Sequence, residues 1–314
     1  MSGDEETVAY DPVVRLSGLT RRFGPLTAVD GLELEVRRGE LFGIVGPDGA
    51  GKTTTLRMLA GVLPPSGGRA EVLGVDVGAD PEGAKPRVAY MAQRFGLYGD
   101  LTVAENLRFY ADLYRVPRAA RPERLERLYR FSNLGPFTDR LAANLSGGMK
   151  QKLALSCALI HEPELLLLDE PTFGVDPISR RELWTILREM NARGVTIVLT
   201  TSYLDEAERC HRVALLHQGR VLDLDTPARL QATMHGSLLA VRARPARAAR
   251  DALRATPGVR RAHLFGQALH VVVDEAADGE ALVRAALGGM EVDAVEVIRP
   301  SLEDVFIERV GADA

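Results

Sequence analysis

Short, largely apolar runs of four to six residues recur along the first two thirds of the chain. The clearest are residues 41–45, residues 164–169, which include four consecutive leucines, and residues 195–200. A run of this length without polar alternation is typical of a strand buried on both faces, as in a parallel sheet. Another strand is predicted over residues 87–91, and residues 13–40 alternate in a way that predicts strands and turns.

Segments with apolar residues at helical spacing lie between these strands. Residues 52–63 predict a helix with an apolar face, and a second helix begins at Thr102, where Thr102-Val-Ala-Glu105 is a capping box. Residues 118–130 predict a very basic helix, which we interpret as a solvated face because acidic residues are interleaved and aromatic residues are few. A further helix follows Ser146. Strands that alternate with helices predict an α/β fold.

The pattern restarts after residues 234–236. Strands and helices are then predicted over residues 238–242, 246–255, 259–265, 269–273, 279–290 and 294–298, with a last short helix over 302–310. The order strand-helix-strand-strand-helix-strand is that of a ferredoxin-like α+β domain. We therefore divide the chain into a disordered tail (residues 1–12), an α/β domain (13–235) with a helical part at about 95–160, and a small α+β domain (236–314).

Composition and charge exclude several classes of function. The chain has 314 residues, 46% of them hydrophobic, which is ordinary for a globular protein. Its net charge of −4 provides no global positive field for nucleic acid, which we therefore do not expect as a partner. No apolar stretch approaches the roughly 18 residues of a membrane helix, and the acidic N-terminus is not a signal peptide. Cys157 and Cys210 lack a neighbouring Cys or His cluster, so free thiols are expected rather than a disulfide or a zinc site.

A glycine-rich loop follows the first buried strand. Gly46-Pro47-Asp48-Gly49-Ala50-Gly51-Lys52-Thr53 matches the pattern G-x-x-x-x-G-K-[ST] of a P-loop. Its glycines let backbone N–H groups surround a phosphate, and the helix N-terminus behind it, which includes Thr54, adds partial positive charge. We expect Lys52 to reach the β- and γ-phosphates of a nucleotide, and the hydroxyl of Thr53 to ligate Mg²⁺.

Two acidic residues end the run of four leucines. Asp169 and Glu170 follow it directly, so they are predicted at the carboxyl edge of the sheet, where ligands bind. We expect Asp169 to hold Mg²⁺ through water. Glu170 is expected to polarise the attacking water as a general base.

These motifs, taken together, resemble a known family. The segment 145–151 (Leu-Ser-Gly-Gly-Met-Lys-Gln) places Ser146 23 residues before Asp169, and it is similar to the signature of ABC ATPase domains. The resemblance covers residues 13–235 and also rests on Gln93 and on Gly174-Val-Asp176. It implies an ATP-binding P-loop ATPase that forms a head-to-tail dimer, with a helical subdomain in each protomer.

The resemblance also implies roles for single residues. Ser146 and Gly148 of one protomer would close over the phosphates bound by Lys52 of the other. This role is physically reasonable, because the N-terminus of a helix capped by serine can bind an anion. Asp176 would lie in the loop that crosses the dimer. Phe23 would stack on adenine, although a core aromatic is an alternative interpretation.

The predicted site residues fall into three overlapping sets. The catalytic set is Lys52, Gln93, Glu170 and Ser202, and the metal set is Thr53, Gln93 and Asp169. The nucleotide-binding set is Phe23, Gly46, Pro47, Asp48, Gly49, Ala50, Gly51, Lys52, Thr53, Thr54, Ser146, Gly147, Gly148 and Asp176. The expected cofactors are ATP and Mg²⁺.

Two positions depart from the family pattern. Asp48 stands where the family commonly has Asn, and an extra carboxylate beside a triphosphate is electrostatically unfavourable unless it points away or meets the metal shell. Ser202 stands where the family has a switch His, and a serine is shorter and carries no charge. His211 lies nine residues further on and is not expected to replace it. We expect a working ATPase that is slow if the γ-phosphate contact is limiting.

The last segment of the chain favours one branch of the family. Residues 300–306 (Pro-Ser-Leu-Glu-Asp-Val-Phe) and 203–210 resemble ATP-binding subunits of ABC-2 type exporters, including multidrug and antibiotic-resistance systems. The resemblance implies a second ATPase protomer, as a homodimer, and a separate ABC-2 type permease at the cytoplasmic face of the membrane. The apolar residues near Gln93 either receive a coupling helix of that permease or belong to ordinary core; they are Phe95, Leu97, Tyr98 and Leu101.

Two other functions stay open at this point. One is a soluble ABC protein that takes no part in transport. The other is a nucleotide-binding switch with little hydrolysis, because Ser202 replaces the switch His.

Overall fold

The computed structural model describes residues 12–94, 96–274 and 278–312. The predicted tail, apart from Pro12, and Phe95 lie outside this range. The chain forms two compact units, one ending at Thr226 and one beginning at Pro227. Within the described ranges, each helix is too short or too polar to span a bilayer.

The first unit contains ten strands and six helices among its described residues. The strands are β1 (Val14–Phe23), β2 (Leu26–Val36), β3 (Leu41–Val45), β4 (Gly67–Val72), β5 (Val75–Asp76), β6 (Val88–Met91), β7 (Leu165–Asp169), β8 (Thr196–Thr201), β9 (Arg212–His217) and β10 (Arg220–Asp225). The helices are α1 (Lys52–Leu59), α2 (Val103–Leu113), α3 (Arg121–Ser132), α4 (Gly147–Leu159), α5 (Pro177–Ala192) and α6 (Leu204–Ala207).

A six-stranded sheet in the order β10-β9-β3-β8-β7-β6 forms the centre of this unit. Its strands are parallel except for the edge strand β10. Every residue of β3 and β7 is buried, which confirms the prediction of strands covered on both faces. Because the strands are parallel, the segments that follow β3, β6, β7 and β8 meet at one edge of the sheet. These segments carry the phosphate loop, Gln93, Glu170 and Ser202.

A second, antiparallel sheet in the order β2-β1-β4-β5 packs on the same core. Its buried side chains alternate with exposed ones, and Leu16 and Leu32 join Phe42 of β3 and Leu56 of α1 in one apolar cluster. The predicted helix over residues 52–63 ends early, at Leu59, because Gly61 adopts a φ of 64° and donates its N–H to the carbonyl of Met58. That left-handed turn closes the helix.

The helices predicted between the strands are present in the structure. The capping box is confirmed, since the Glu105 N–H donates to the Thr102 hydroxyl at 3.2 Å and the Thr102 N–H to the Glu105 carboxylate at 2.8 Å. The third helix begins at Arg121, after a 3₁₀ turn over Arg118–Ala120, instead of at residue 118.

The second unit is built around a four-stranded antiparallel sheet in the order β12-β13-β11-β14. Its elements are α7 (Pro227–Ala232), β11 (Ser237–Arg244), α8 (Ala246–Arg254), β12 (Val259–Phe265), β13 (Ala268–Val273), α9 (Gly279–Ala286), β14 (Glu291–Val297) and α10 (Leu302–Ala312). Leu253 of α8 and Val283 of α9 pack with Val241 and Val271 on one face of this sheet. Helices α8 and α9 each connect two strands that are separated by a third, which confirms the predicted ferredoxin-like arrangement.

The other face of this sheet meets α10, as the pairing of His270 on β13 with Asp304 on α10 shows. Helix α7 also contacts α10. The boundary predicted at residue 235 lies beyond α7, whereas the compact units divide before it. With six residues, of which only Leu230 is buried, α7 is too short to display a helical repeat, so periodicity alone did not mark the boundary.

Candidate functional site

The phosphate loop joins β3 to α1, and its glycines are required by close backbone approach. A Cβ on Gly46 would lie 2.1 Å from the carbonyl oxygen of Leu216. Gly51 has a φ of 104°, and a Cβ there would lie 2.5 Å from the carbonyl oxygen of Ala28. Both glycines are therefore fixed by neighbouring backbone, so the loop keeps the conformation in which its N–H groups can face a phosphate.

Lys52, the first residue of α1, has its ammonium inside the loop. The Nζ atom donates to the carbonyl oxygens of Gly46 at 2.8 Å and Pro47 at 3.1 Å, and it lies 3.1 Å from Oε1 of Glu170. The side chain is 4% exposed. The positive charge thus lies where the loop would surround a phosphate, and its present partners are neutral carbonyls and one carboxylate.

Asp169, at the end of β7, connects three elements. Its Oδ1 accepts hydrogen bonds from the hydroxyls of Thr53 at 2.9 Å and Thr200 at 2.8 Å. Its Oδ2 is buried and has no hydrogen-bond partner among the described residues. Burial raises the pKa of the Tyr90 hydroxyl, and the negative charge of Asp169 adds to this shift.

The oxygen atoms in this place suit a hard divalent cation. A carboxylate with one unpaired buried oxygen lies beside the hydroxyl of Thr53, and Mg²⁺ prefers such oxygen ligands, of which a protein commonly supplies only one or two. The residues present therefore fit Mg²⁺.

Glu170 is held at both of its carboxylate oxygens. Oε1 pairs with Lys52, and Oε2 accepts a hydrogen bond from Nε2 of Gln93 at 3.0 Å. Its φ of 47° is unusual for a residue with a side chain, and its N–H donates to the Thr200 hydroxyl at 3.0 Å. Strained backbone of this kind costs about 1–3 kcal/mol and persists only where surrounding contacts enforce it.

Of the residues described above, Lys52, Thr53, Gln93 and Glu170 line one open cleft with a volume of about 330 Å³. Its lining is formed by Phe23, Leu26, Ala28, the loop residues 48–54, Gln93 and Glu170. Phe23 is 43% exposed, so it is not a core aromatic, and the guanidinium of Arg21 lies 4.6 Å from its ring centroid. Asp48 is exposed at the same cleft.

The signature residues do not line this cleft in the same protomer. Ser146 caps α4 by accepting a hydrogen bond from the Met149 N–H at 3.3 Å. A Cβ on Gly148 would lie 2.1 Å from the hydroxyl oxygen of Ser179, so the beginning of α4 rests directly on α5. Gly147 is exposed at the helix start.

Asp176 caps α5 by accepting hydrogen bonds from the N–H groups of Ile178 at 3.1 Å and Ser179 at 3.0 Å. The hydrogen bonds from Ser179, first among these contacts, lower the pKa of Asp176. The described structure therefore gives Asp176 a capping role within its own protomer.

Ser202 follows β8 directly and is half-buried, outside the residues that line the cleft. Nδ1 of His211 accepts a hydrogen bond from the Leu41 N–H at 3.0 Å, at the beginning of β3. The phosphate loop follows the opposite end of that strand. His211 is therefore remote from the phosphate loop, as expected.

Sequence reasoning missed two polar contributors to the site. Thr200 ties Asp169 to Glu170, as described above. Glu206 of α6 is 1% exposed, accepts a hydrogen bond from the Thr172 hydroxyl at 2.6 Å and lies 3.3 Å from Nε of Arg180, while burial raises its pKa. The available signal was a pair of threonines closing an otherwise apolar strand, which we interpreted only as the end of that strand.

Comparison with known proteins follows the division of the chain. Residues 29–173 match the ABC transporter family, and residues 226–310 match the family described as ATP-binding protein DrrA1-3-like, C-terminal domain. Among solved structures, the chain is similar to a dimeric, post-hydrolysis state of the ATP-binding cassette MJ0796 bound to ADP and Pi. The TM-score is 0.62 at 25% identity, covering 68% of this chain and 98% of that one.

Two curated relatives extend over nearly the whole chain. The probable multidrug ABC transporter ATP-binding protein YbhF of Escherichia coli (strain K12) is 44% identical over 96% of this chain, which spans about half (52%) of that protein. The daunorubicin/doxorubicin resistance ATP-binding protein DrrA of Streptomyces peucetius is 37% identical over 96% of this chain and 93% of its own length. With these matches and the geometry of the cleft, the chain belongs to the ATP-binding proteins of the ABC transporter family.

Proposed function

We propose that this chain binds and hydrolyses ATP as the motor subunit of an exporter, and that it drives a separate membrane-spanning permease. The observation that carries the proposal is the double contact of Glu170. Its carboxylate is held by Lys52 and Gln93 at the mouth of a phosphate loop, beside the Thr53 and Asp169 oxygens. This arrangement contains a phosphate-binding cation, a general base and a set of metal ligands in one cleft.

Nucleotide binding follows from exchange of hydrogen-bond partners. The N–H groups of the loop residues after Pro47 and of the α1 N-terminus donate to the phosphates, and the β- and γ-phosphate oxygens replace the carbonyls that now hold Lys52. A phosphate also competes with Glu170 for the ammonium of Lys52. ATP binding therefore frees one carboxylate oxygen of Glu170, while the exposed ring of Phe23 stacks on the adenine.

The residues that would hold Mg²⁺ are Thr53, Asp169 and Gln93. The bound ion would neutralise negative charge on the phosphate oxygens. The buried, unpaired Oδ2 of Asp169 supports this assignment.

In the hydrolysis step, Glu170 accepts a proton from a water molecule as that water attacks the γ-phosphorus. A bond forms between the water oxygen and phosphorus, and the bond from phosphorus to the β–γ bridging oxygen breaks, so that ADP and phosphate are released. Lys52 offsets charge on the transferred group. Gln93 keeps the Glu170 carboxylate in place by donating to Oε2.

The cleft is open and the signature residues do not line it within one protomer, which supports a dimer. Ser146, Gly147 and Gly148 lie elsewhere in the protomer, and a Ser-capped helix start is a second anion site. We propose a homodimer in which these residues of one copy close over the γ-phosphate in the other, with Asp176 at the crossing loop. The MJ0796 structure, which is dimeric and holds ADP and Pi, supports this arrangement.

The exporter role rests on the relatives. Proteins named for multidrug transport and for daunorubicin/doxorubicin resistance are similar to this chain over 96% of its length, and its C-terminal region matches a family named for DrrA-like proteins. We propose an ABC-2 type permease as partner, drugs or other hydrophobic compounds as cargo, and a position at the cytoplasmic face of the membrane. Residues 13–235 would act as the ATPase domain and residues 236–314 as an accessory domain.

The test is to express the chain with the membrane protein encoded beside it and to purify the complex. We expect co-purification and Mg²⁺-dependent phosphate release. Absence of a co-purifying membrane protein would favour a soluble ABC protein. A complex that binds ATP without hydrolysing it would favour a nucleotide switch.

The Ser202→His substitution is expected to raise ATP turnover about 10-fold, because an imidazole reaches further than a hydroxyl and can carry a positive charge toward the γ-phosphate. One added charge-assisted hydrogen bond contributes about 1.5–3 kcal/mol, and partial use of it in the transition state gives this factor. Phosphate release at saturating ATP measures the effect. Ser202→Ala, the matched control, should not accelerate the reaction, and an unchanged rate in the histidine variant would show that this contact is not limiting.

The Asp48→Asn substitution is expected to tighten ATP binding by about three- to tenfold. Asp48 is exposed at the cleft, so its repulsion with a triphosphate is screened by water to about 1 kcal/mol. Calorimetry at low and high salt measures the change, which should shrink as salt rises. Glu123→Gln, an equivalent change on the exposed face of α3, is the control for net charge and should leave affinity unaltered.

A further inference from the structure

Two histidines and one aspartate from three different elements meet in the second unit. His263 of β12 and His270 of β13 are directly opposite each other in the antiparallel pair. Nδ1 of His270 lies 2.6 Å from Oδ1 of Asp304 in α10, and Nε2 of His263 lies 3.6 Å from the same oxygen. One ligand atom from each residue lies within 4.8 Å of the other two.

The cluster is largely shielded from water. The side chains of Asp304, His270 and His263 are 0%, 9% and 13% exposed. Both ring nitrogens of His263 are buried and have no hydrogen-bond partner in the described part of the chain. A buried polar atom left unpaired costs about 1–3 kcal/mol, and a native structure usually supplies a partner such as an ordered water or an ion. Nε2 of His263, at 3.6 Å from Asp304, is therefore close to the carboxylate but makes no hydrogen bond with it, which leaves room for an ion between them.

Asp304 is prepared as an anionic ligand. Its Oδ2 accepts hydrogen bonds from the N–H of Ser301 at 2.9 Å and the hydroxyl of Ser301 at 2.6 Å, which leaves Oδ1 for the two imidazoles. Burial alone would raise the pKa of Asp304, but the nearby His263 imidazole and the hydrogen bonds with His270 and Ser301 outweigh it and hold this pKa well below its usual range. The carboxylate is thus ionised at neutral pH.

The ring of His270 is also fixed in place. The ring of Phe265 stacks on it with a centroid distance of 4.1 Å and an interplanar angle of 7°. Contacts that orient a ligand in this way are typical of residues surrounding a metal ion, where they set the direction of the coordinating atoms.

We propose that His263, His270 and Asp304 bind one divalent transition-metal ion, with zinc as the best match. Two imidazoles and one carboxylate suit zinc, whereas Mg²⁺ and Ca²⁺ take oxygen ligands. Zinc bonds of about 2.0–2.1 Å in a tetrahedron place two ligand atoms about 3.3 Å apart. The 3.6 Å between His263 and Asp304 is close to this, and the 2.6 Å between His270 and Asp304 has to open by less than an ångström. A water molecule would complete the coordination.

The ion would connect three elements of the second unit. It would join β12 and β13 to α10, the helix that covers their outer face and that contains residues 302–306 of the C-terminal segment. Because such a site does not exist in the unfolded chain, binding of the ion is expected to stabilise this unit against unfolding.

The experiment titrates Zn²⁺ into the full chain by calorimetry. Excess ADP and Mg²⁺ are present, so that Asp169 at the nucleotide site is already occupied by Mg²⁺ and does not compete for Zn²⁺. We expect one equivalent to bind with micromolar or stronger affinity, and the thermal midpoint to rise. His263→Gln and His270→Gln should each weaken binding at least about 10-fold. His235→Gln, at an exposed histidine of the same unit, is the control and should bind as the unaltered chain does.

Two further measurements keep the proposal falsifiable. Co²⁺ bound to the cluster should show the visible absorption of a low-symmetry tetrahedral site. Circular dichroism of the metal-free variants separates loss of ligands from loss of fold. No binding by the unaltered chain, or equal binding by folded His263→Gln and His270→Gln, would overturn the proposal.

Discussion

Glu170→Gln is expected to lower ATP turnover at least about 100-fold, because general-base catalysis typically contributes about 10²- to 10⁴-fold. Glutamine has the same size as glutamate, and its side-chain oxygen can still accept a hydrogen bond from Lys52. The side-chain amide of Gln93 can rotate so that its oxygen accepts a hydrogen bond from the new NH₂ group. Nucleotide binding should therefore persist. The variant should accumulate as an ATP-dependent dimer, since the bound nucleotide is not cleaved.

Phosphate release and light scattering after size-exclusion chromatography measure these two results. Glu189→Gln, on the exposed face of α5, is the matched control and should hydrolyse ATP normally. Normal ATP turnover by the Glu170 variant would show that Glu170 is not the general base. Failure of ATP to bring two copies together would argue against the closed dimer even if turnover were lost.

The Lys52→Ala substitution is expected to weaken ATP binding by about 10- to 100-fold. The ammonium supplies one or two charge-assisted hydrogen bonds to phosphate, each worth about 1.5–3 kcal/mol. The change also leaves the buried carboxylate of Glu170 without its cation, so the melting temperature of the nucleotide-free protein should fall.

Calorimetric titration with ATP and a thermal melt give the two readouts. Lys85→Ala is the control, because that ammonium pairs with Glu82 on the surface. Unchanged ATP affinity in the Lys52 variant would contradict the assignment of the loop. A lower affinity with an unchanged melting temperature would mean that the Glu170 pair adds little to stability.

Much of the fold could be predicted from local pattern. Strands β3 and β7 are continuous apolar runs because both of their faces are covered. The capping box at Thr102 involves only four consecutive residues, so it can be recognised directly in the sequence. The ferredoxin-like order of the second unit also followed from periodicity. In each case the physical cause acts over a few residues, so the sequence displays it directly.

Features that depend on distant contacts were not predictable in this way. The end of α1 at Leu59 depends on the left-handed turn at Gly61, and the apolar pattern continues past it. In the sequence, Thr200 is only the end of a predicted strand. Its contact with Asp169 depends on the pairing of two strands in the sheet. The cluster around Asp304 is equally hidden, because strand register and helix packing bring together residues 34 positions apart in the chain.

The family pattern supplied the parts of the site that local chemistry could not. Ser146 is an ordinary helix cap within its own protomer, and nothing in the spacing of residues says that it serves a second chain. Asp176 is likewise a cap. Their proposed roles become visible only when two copies are considered together.

The close approach at Gly148 has a mechanical consequence. Since a methyl group would not fit between the beginnings of α4 and α5, a displacement of one helix start must push the other. In the proposed dimer, a second copy that presses on the helix start at Ser146 would therefore also press on the one at Asp176, so the two contacts would be mechanically coupled.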